Sequence, residues 1–171
     1  MTQPEEQQRR IGKIMVGAMW LLLLGLLTLF FNDYLDKQHN PNQSIAAVQH
    51  DGQQEIILQR NKYGHYVASG MINQQPVVFM LDTGATDISI PQNVAQRLGL
   101  QPGRPITYQT ANGPVINYAT QLDAVSLGNI TLYNLPASIN PNVDNEDVLL
   151  GMSFLKHLEF SQKGNTLTLR Q

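Results

Sequence analysis

Apolar and polar positions divide the chain into two unlike parts. From Ile14 to Phe31 (IMVGAMWLLLLGLLTLFF) eighteen successive residues carry no charge. As a helix rising ~1.5 Å per residue this stretch spans about 27 Å, just enough for a hydrocarbon core of roughly 30 Å. A core helix of a soluble protein is rarely apolar on every face for five turns. A cleaved signal peptide has a shorter apolar region, closely followed by a small-x-small site. Here Asn32-Asp33-Tyr34-Leu35-Asp36 follows, and the first alanine pair, Ala46-Ala47, lies well downstream. The pattern predicts an uncleaved transmembrane anchor over 14–31. Arg9, Arg10 and Lys13 precede it and Asp33 and Asp36 follow. The positive-inside rule then keeps residues 1–13 in the cytoplasm and places everything after Phe31 outside it.

After the anchor the period shortens. Residues 32–54 are polar, with Asn-Pro and Asp-Gly breakers, and predict a linker. From Glu55 short apolar runs alternate with turn signals: Glu55–Arg60, the Asn61–Gly64 turn, His65–Ile72, then Pro76–Leu81. One short helix is predicted from Pro91 at a first helical position, through Val94 and Leu98 on one face, to Gly99 at its C′ position. Ile106–Tyr118 predicts a hairpin turning at Asn112-Gly113. Strands over Leu122–Leu127 and Ile130–Ile139 flank Gly128-Asn129. An Asn/Asp-rich loop, 140–146, leads to Val148-Leu149-Leu150-Gly151. Phe154–Leu158 predicts a helical turn, and Glu159–Ser161 with Thr166–Arg170 a closing hairpin. The prediction for 55–171 is one all-β domain.

Charge and composition remove several functions. A net charge of −2 with no basic run disfavours nucleic acid as a partner. The chain has no cysteine, so thiolate catalysis, disulfides and Cys-based zinc sites are excluded. His39, His50, His65 and His157 show no paired metal-ligand spacing, and no metal or other cofactor is expected. Ser89, Ser126, Ser138 and Ser153 lack a Gly-x-Ser-x-Gly context. Sequons begin at Asn42 and Asn129, which matter only in a glycosylating pathway.

One carboxylate is out of place. The apolar run Pro76–Leu81 ends in Asp82-Thr83-Gly84-Ala85, and apolar chain soon resumes. A charge at the mouth of a buried strand costs several kcal/mol unless it is paired or shares a proton. This signature, a helix after it, a hairpin with a glycine at its tip and Leu149-Leu150-Gly151 near the C-terminus resemble aspartic proteases of the retropepsin type, in the same order over residues 55–171. The N-terminal anchor is similar to that of bacterial membrane-bound members, which implies a single-pass inner-membrane protein with its protease domain on the periplasmic side. The resemblance implies a retropepsin-like acid protease barrel with one or two short helices, preceded by a single transmembrane helix.

It also implies chemistry. Two carboxylates sharing one proton around a water hydrolyse a peptide bond, one as base and one as acid. By resemblance Asp82 is the catalytic residue, Thr83 bonds across the two active-site loops, Gly84 permits the tight turn and Ala85 lines the cleft. Leu149, Leu150 and Gly151 support the loop from beneath. Thr110, Ala111, Asn112 and Gly113 form the tip of a flap over a protein or peptide substrate; without the resemblance the hairpin is an ordinary one. Only one Asp-Thr-Gly is present, so an active enzyme is a homodimer with Asp82 from each copy on a twofold axis. Asp87 has two readings, a contact to substrate side chains or a polar turn residue. Retroviral members carry an Asp and an Arg that pair where this chain has Thr86 and Met152, so their form of dimer interface is not implied. The alternative function is a catalytically silent peptide-binding or scaffolding module on the same fold.

Overall fold

The computed structural model describes residues 3–45, 47–50, 53–110 and 113–171. Helix α1 (Gln3–His39) is longer at both ends than the predicted span. Its large apolar side chains, Leu21, Leu22 and Leu29 among them, are exposed. It is long and apolar enough to cross a membrane, as an anchor or a signal sequence would be.

The second compact unit runs from Gln38 to Gln171 and is mostly β. In chain order it comprises β1 (Ala47–His50), β2 (Gln53–Gln59), β3 (Tyr66–Ile72), β4 (Gln75–Leu81), β5 (Ile88–Pro91), α2 (Gln92–Arg97), β6 (Pro105–Thr110), β7 (Gly113–Leu127), β8 (Ile130–Asn140), β9 (Asp147–Leu150), α3 (Met152–Leu155), β10 (Glu159–Lys163) and β11 (Thr166–Arg170). One sheet has the order β1-β2-β11-β10. The other, β3-β4-β9-β5-β8-β7-β6, closes on itself because Met71 and Ile72 of β3 pair with Ser126 and Val125 of β7. Closure removes the open edges of β3 and β7 there, and among the described residues leaves β6 attached outside the ring through β7 alone. The barrel interior is filled by Phe79, Ile88, Ile90, Leu122, Leu150 and Phe154, all fully buried. Ile56 and Leu58 of β2 and Leu169 of β11 bring the smaller sheet onto the same core.

Helix α2 ends as its sequence predicts. Gly99 takes φ +69°; its N–H bonds the Gln96 carbonyl and that of Leu100 bonds Ala95, so the last carbonyls are satisfied. Three expectations are corrected. Pro91 is the N-cap and the last residue of β5, a strand too short to show an alternating pattern. The hairpin arm and the strand after it are one element: Ala119-Thr120-Gln121 continues β7 because each residue pairs with β8. The expected linker 32–54 is largely regular structure. α1 extends to His39, and β1 pairs with β2.

The physical reason lies in three buried amides. Asn42 donates from Nδ2 to the Gln59 and Val67 carbonyls at 2.9 and 2.7 Å, and its Oδ1 accepts the Gln59 N–H at 2.7 Å. One side chain thus joins the end of β2 to the start of β3. The Asn42 carbonyl accepts the Ser69 N–H, Asn40 donates to the Ser69 hydroxyl at 2.9 Å, and Asn61 donates to the His39 carbonyl at 2.9 Å.

Candidate active site

Asp82 sits where β4 ends, on a loop running to β5. Strand β9 threads between those two strands, parallel to β4 and antiparallel to β5. Beyond the end of β4 the pairing continues for one more step, with the Asp82 N–H on the Leu150 carbonyl at 3.2 Å. The Gly84 N–H donates to Asp82 Oδ1 at 2.8 Å, and the Ala85 N–H to the Asp82 carbonyl at 3.2 Å. A Cβ at Gly84 would approach Asp82 Oδ1 to 3.2 Å. Glycine here lets a backbone donor reach the carboxylate.

Beneath the loop the fit is tighter. The Met152 N–H bonds the Ala85 carbonyl at 2.9 Å, and the Ile88 N–H donates to the buried Ser153 hydroxyl at 3.1 Å. A Cβ on Gly151 would lie 2.2 Å from the Asp87 carbonyl oxygen and 2.6 Å from that of Ala85. The Gly151 backbone is extended, φ −94° and ψ −164°, and open to any residue. Close approach, not conformation, requires glycine there. Leu150 is buried and Leu149 half-buried, so the three residues serve as loop support and core at once.

The loop's outer side is open. Asp82, Thr83 and Gly84 are exposed and Ala85 is half-buried. The Thr83 hydroxyl has no hydrogen bond among the described residues. Asp82 and Thr83 border a pocket of about 390 Å³ whose apolar wall includes Tyr66, Leu81, Leu155 and Phe160. Three larger pockets include neither residue: two, of about 540 and 580 Å³, lie around α2 and the 98–103 segment, and one of about 440 Å³ lies beside Val77 and Arg97.

The predicted hairpin forms, with Thr110 opposite Gly113. Gly113 takes φ +105°. Ala111 and Asn112, the expected centre of the flap tip, lie outside the described residues. Part-way along the hairpin, Tyr108 joins a group around Asp87 whose hydrogen bonds the sequence does not reveal. The Tyr108 hydroxyl donates to Asp87 Oδ2 at 2.5 Å, the Ser138 hydroxyl to Asp87 Oδ1 at 3.3 Å, and Asn117 Nδ2 to the Ser138 hydroxyl at 3.1 Å. Burial raises the Asp87 carboxyl above its ordinary value, against the opposing effect of these bonds. Burial, then the bond to Asp87 and its charge, push Tyr108 up to about 12. Asp87 therefore has both oxygens occupied within the chain. The only signal for this was an acid five residues after Asp82.

The closed barrel, the strand threaded beneath an Asp-Thr-Gly loop and the helix after it define a retropepsin-like aspartic protease fold. The crystal structure of a retropepsin-like aspartic protease from Rickettsia conorii matches it with a TM-score of 0.59 and 30% sequence identity, over 74% of this chain and 95% of that one. The sequence profile of the family described as "gag-polyprotein putative aspartyl protease" matches residues 68–157. The chain belongs to that family. It is also 32% identical over 125 residues to an uncharacterized Sinorhizobium protein, covering 71% of this chain and 54% of the other. An uncharacterized protein of Rickettsia prowazekii (strain Madrid E) is 34% identical over 109 residues, 61% of this chain and 46% of the other. The chain thus spans about half the length of these curated relatives.

Proposed function

We propose that the protein is an aspartic endopeptidase whose dyad is Asp82 of one copy and Asp82 of a second. The observation that carries this reading is the loop itself: Asp82 is exposed at its crest, oriented by the Gly84 N–H, while every strand beneath it is fixed. A carboxylate held this firmly and left open on one side suits a partner carboxylate and a water. Two such groups close together cannot both ionise, so they titrate as a coupled pair. One takes a proton from the water, and the other gives a proton to the scissile carbonyl. The unengaged Thr83 hydroxyl is consistent with bonding to the second copy's loop, and Ala85 with lining the cleft. The β6–β7 hairpin, with Thr110 and Gly113 on its facing arms, is the flap in this reading.

Anchoring by residues 14–31 leaves the amino terminus in the cytoplasm and the protease domain on the periplasmic side, with no metal or cofactor required. Confinement to a membrane plane raises the effective concentration of the second copy. The test uses the full chain in detergent micelles, with labelled denatured casein at mildly acidic pH. Cleavage is expected to rise more steeply than linearly with enzyme concentration in the dilute range, and to yield to a pepstatin-type inhibitor. Asp82→Asn removes the general base and is expected to lower the rate by about 10³-fold or more. Equal cleavage by this variant would exclude the proposal. A folded, dimeric wild type as inert as the variant would instead favour the silent peptide-binding module.

A further inference from the structure

We propose that Tyr108, Asp87 and Ser138 form a latch that sets the position of the β6–β7 hairpin relative to Asp82, with Tyr108 and Asp87 as positioning residues for peptide binding. The inference rests on the proteolytic reading above.

The hydrogen bonds have one direction. Asn117 Nδ2 donates to Ser138, Ser138 donates to Asp87 Oδ1, and Tyr108 donates to Asp87 Oδ2. A carboxylate is acceptor-only when ionised, so Asp87 is the end of both arms. Tyr108 lies on β6 and Asn117 on β7, the two strands of the hairpin, and their neighbours pair as Tyr108 with Val115 and Ile106 with Asn117. Both strands are therefore tied, one directly and one through β8, to a residue five positions beyond Asp82. The inner end of the network is deeply buried, with Ser138 fully so and Asn117 at 5% exposure.

The placement matters because β6 has no other support in its sheet. Among the described residues it pairs with β7 alone, so the ladder fixes the hairpin's own geometry but not its tilt toward the loop. The loop, by contrast, is fixed by Leu150, Met152 and Ser153. Joining a tethered element to a fixed one through a charge-assisted bond gives the hairpin one preferred height. An apolar pair would pack there without the cost of burying a carboxylate. What the polar group adds is direction. With both oxygens engaged, Asp87 serves the hairpin and not a substrate side chain.

A latch that preorganises the cleft contributes equally to the bound substrate and to the transition state, so its loss appears in KM and not in kcat. The test measures labelled-casein cleavage by the full chain in micelles, beside hydrogen exchange of the β6 backbone in the absence of substrate. Tyr108→Phe is expected to raise KM about tenfold, with kcat within about twofold, and to speed exchange at Thr107–Gln109. Asp87→Ala is expected to match it. Asp87→Asn, whose amide oxygen still accepts from Tyr108, should recover most of the KM lost in Asp87→Ala. Unchanged KM with unchanged exchange in Tyr108→Phe would overturn the latch, as would a fall in kcat at constant KM. If Tyr108→Phe unfolds, the alanine and asparagine variants at Asp87 carry the comparison, and equal behaviour of those two overturns it. Asp82→Asn separates the two readings. If it cleaves like wild type, the protease reading fails while the exchange measurement still judges the latch.

Discussion

Two irregular segments of the domain, 40–42 and 82–87, are held firmly by opposite means. The loop after β4 is fixed from its own backbone: Asp82, Ala85 and Ile88 bond across to the chain around Gly151, and the absence of a side chain at Gly151 lets the two stretches touch. The segment before β1 is fixed by side chains: Asn40 donates to the Ser69 hydroxyl, Asn42 accepts the Gln59 N–H, and Asn61 donates to the His39 carbonyl. In the first case geometry depends on what is missing from a residue. In the second it depends on an amide of the right length. Substitution should therefore break the two segments differently.

The largest effect is expected at Gly151. Alanine would place a methyl within 2.2 Å of the Asp87 carbonyl, a backbone atom that cannot rotate away. Relief requires a shift of the loop 85–87 against β9, at about 3 kcal/mol or more. Thermal unfolding followed by tyrosine ellipticity is the direct measurement, because the single tryptophan, Trp20, lies in α1. Cleavage should fall together with stability, since the displaced segment orients Asp82. A variant with wild-type Tm would mean that the close approach is not what demands glycine.

Asn42→Ala comes next. It strands the Gln59 N–H and the Gln59 and Val67 carbonyls at the junction of two strands. Each orphaned group costs about 1–3 kcal/mol, less where water can enter, so a loss of about 2–4 kcal/mol is expected. Asn42→Asp keeps one acceptor but turns its second carboxylate oxygen toward two carbonyls, and should be at least as damaging. The decisive contrast is in activity: per folded molecule, Asn42→Ala should cleave at close to the wild-type rate, because the bonds of Asn42 go to Gln59, Val67 and Ser69 and not to the Asp82 loop. A selective loss of turnover would remove the distinction between the two segments.

This contrast also explains what the sequence could show. The Asp82 loop was legible because its devices are rare residues in a fixed order: an aspartate closing an apolar run, a glycine two residues on, and a second glycine after Leu149-Leu150. Gly99 was legible for a similar reason, as a helix stop with a positive φ. The Asn40–Asn42 joint was not. Asparagine beside proline has the same local signature whether it faces water or replaces a missing strand, and its partners lie 17 and 25 positions away. The continuity of β7 escaped because Ala119-Thr120-Gln121 has no apolar alternation, its order coming from pairing with β8. The pairing of Asp87 escaped because its partners, Tyr108 and Ser138, are 21 and 51 residues distant.

The smallest effect, and the one that sharpens the comparison most, concerns the pH dependence of stability. Asp87 is the titrating group that joins the fixed loop to the hairpin, and burial raises its pKa above the ordinary 3.8. The folded chain therefore holds this proton at pH values where the unfolded chain has released it. Because the folded state binds more protons in that window, the contribution of Asp87 to stability is greatest below 3.8 and declines as pH rises through the folded value. Tyr108, pushed up to about 12, remains a neutral donor throughout and adds no slope of its own. Asp87→Asn removes the titration and keeps an acceptor for Tyr108. Its Tm relative to wild type should therefore climb as the pH is raised from below 3.8 toward neutrality, then level off once wild-type Asp87 is ionised. The same substitution leaves the Asn40–Asn42 joint untouched, so an Asn42→Ala background should show the same climb from a lower baseline. A difference that stays flat with pH would mean that Tyr108 and Ser138 fully compensate the buried charge, and that the link between loop and hairpin holds without cost.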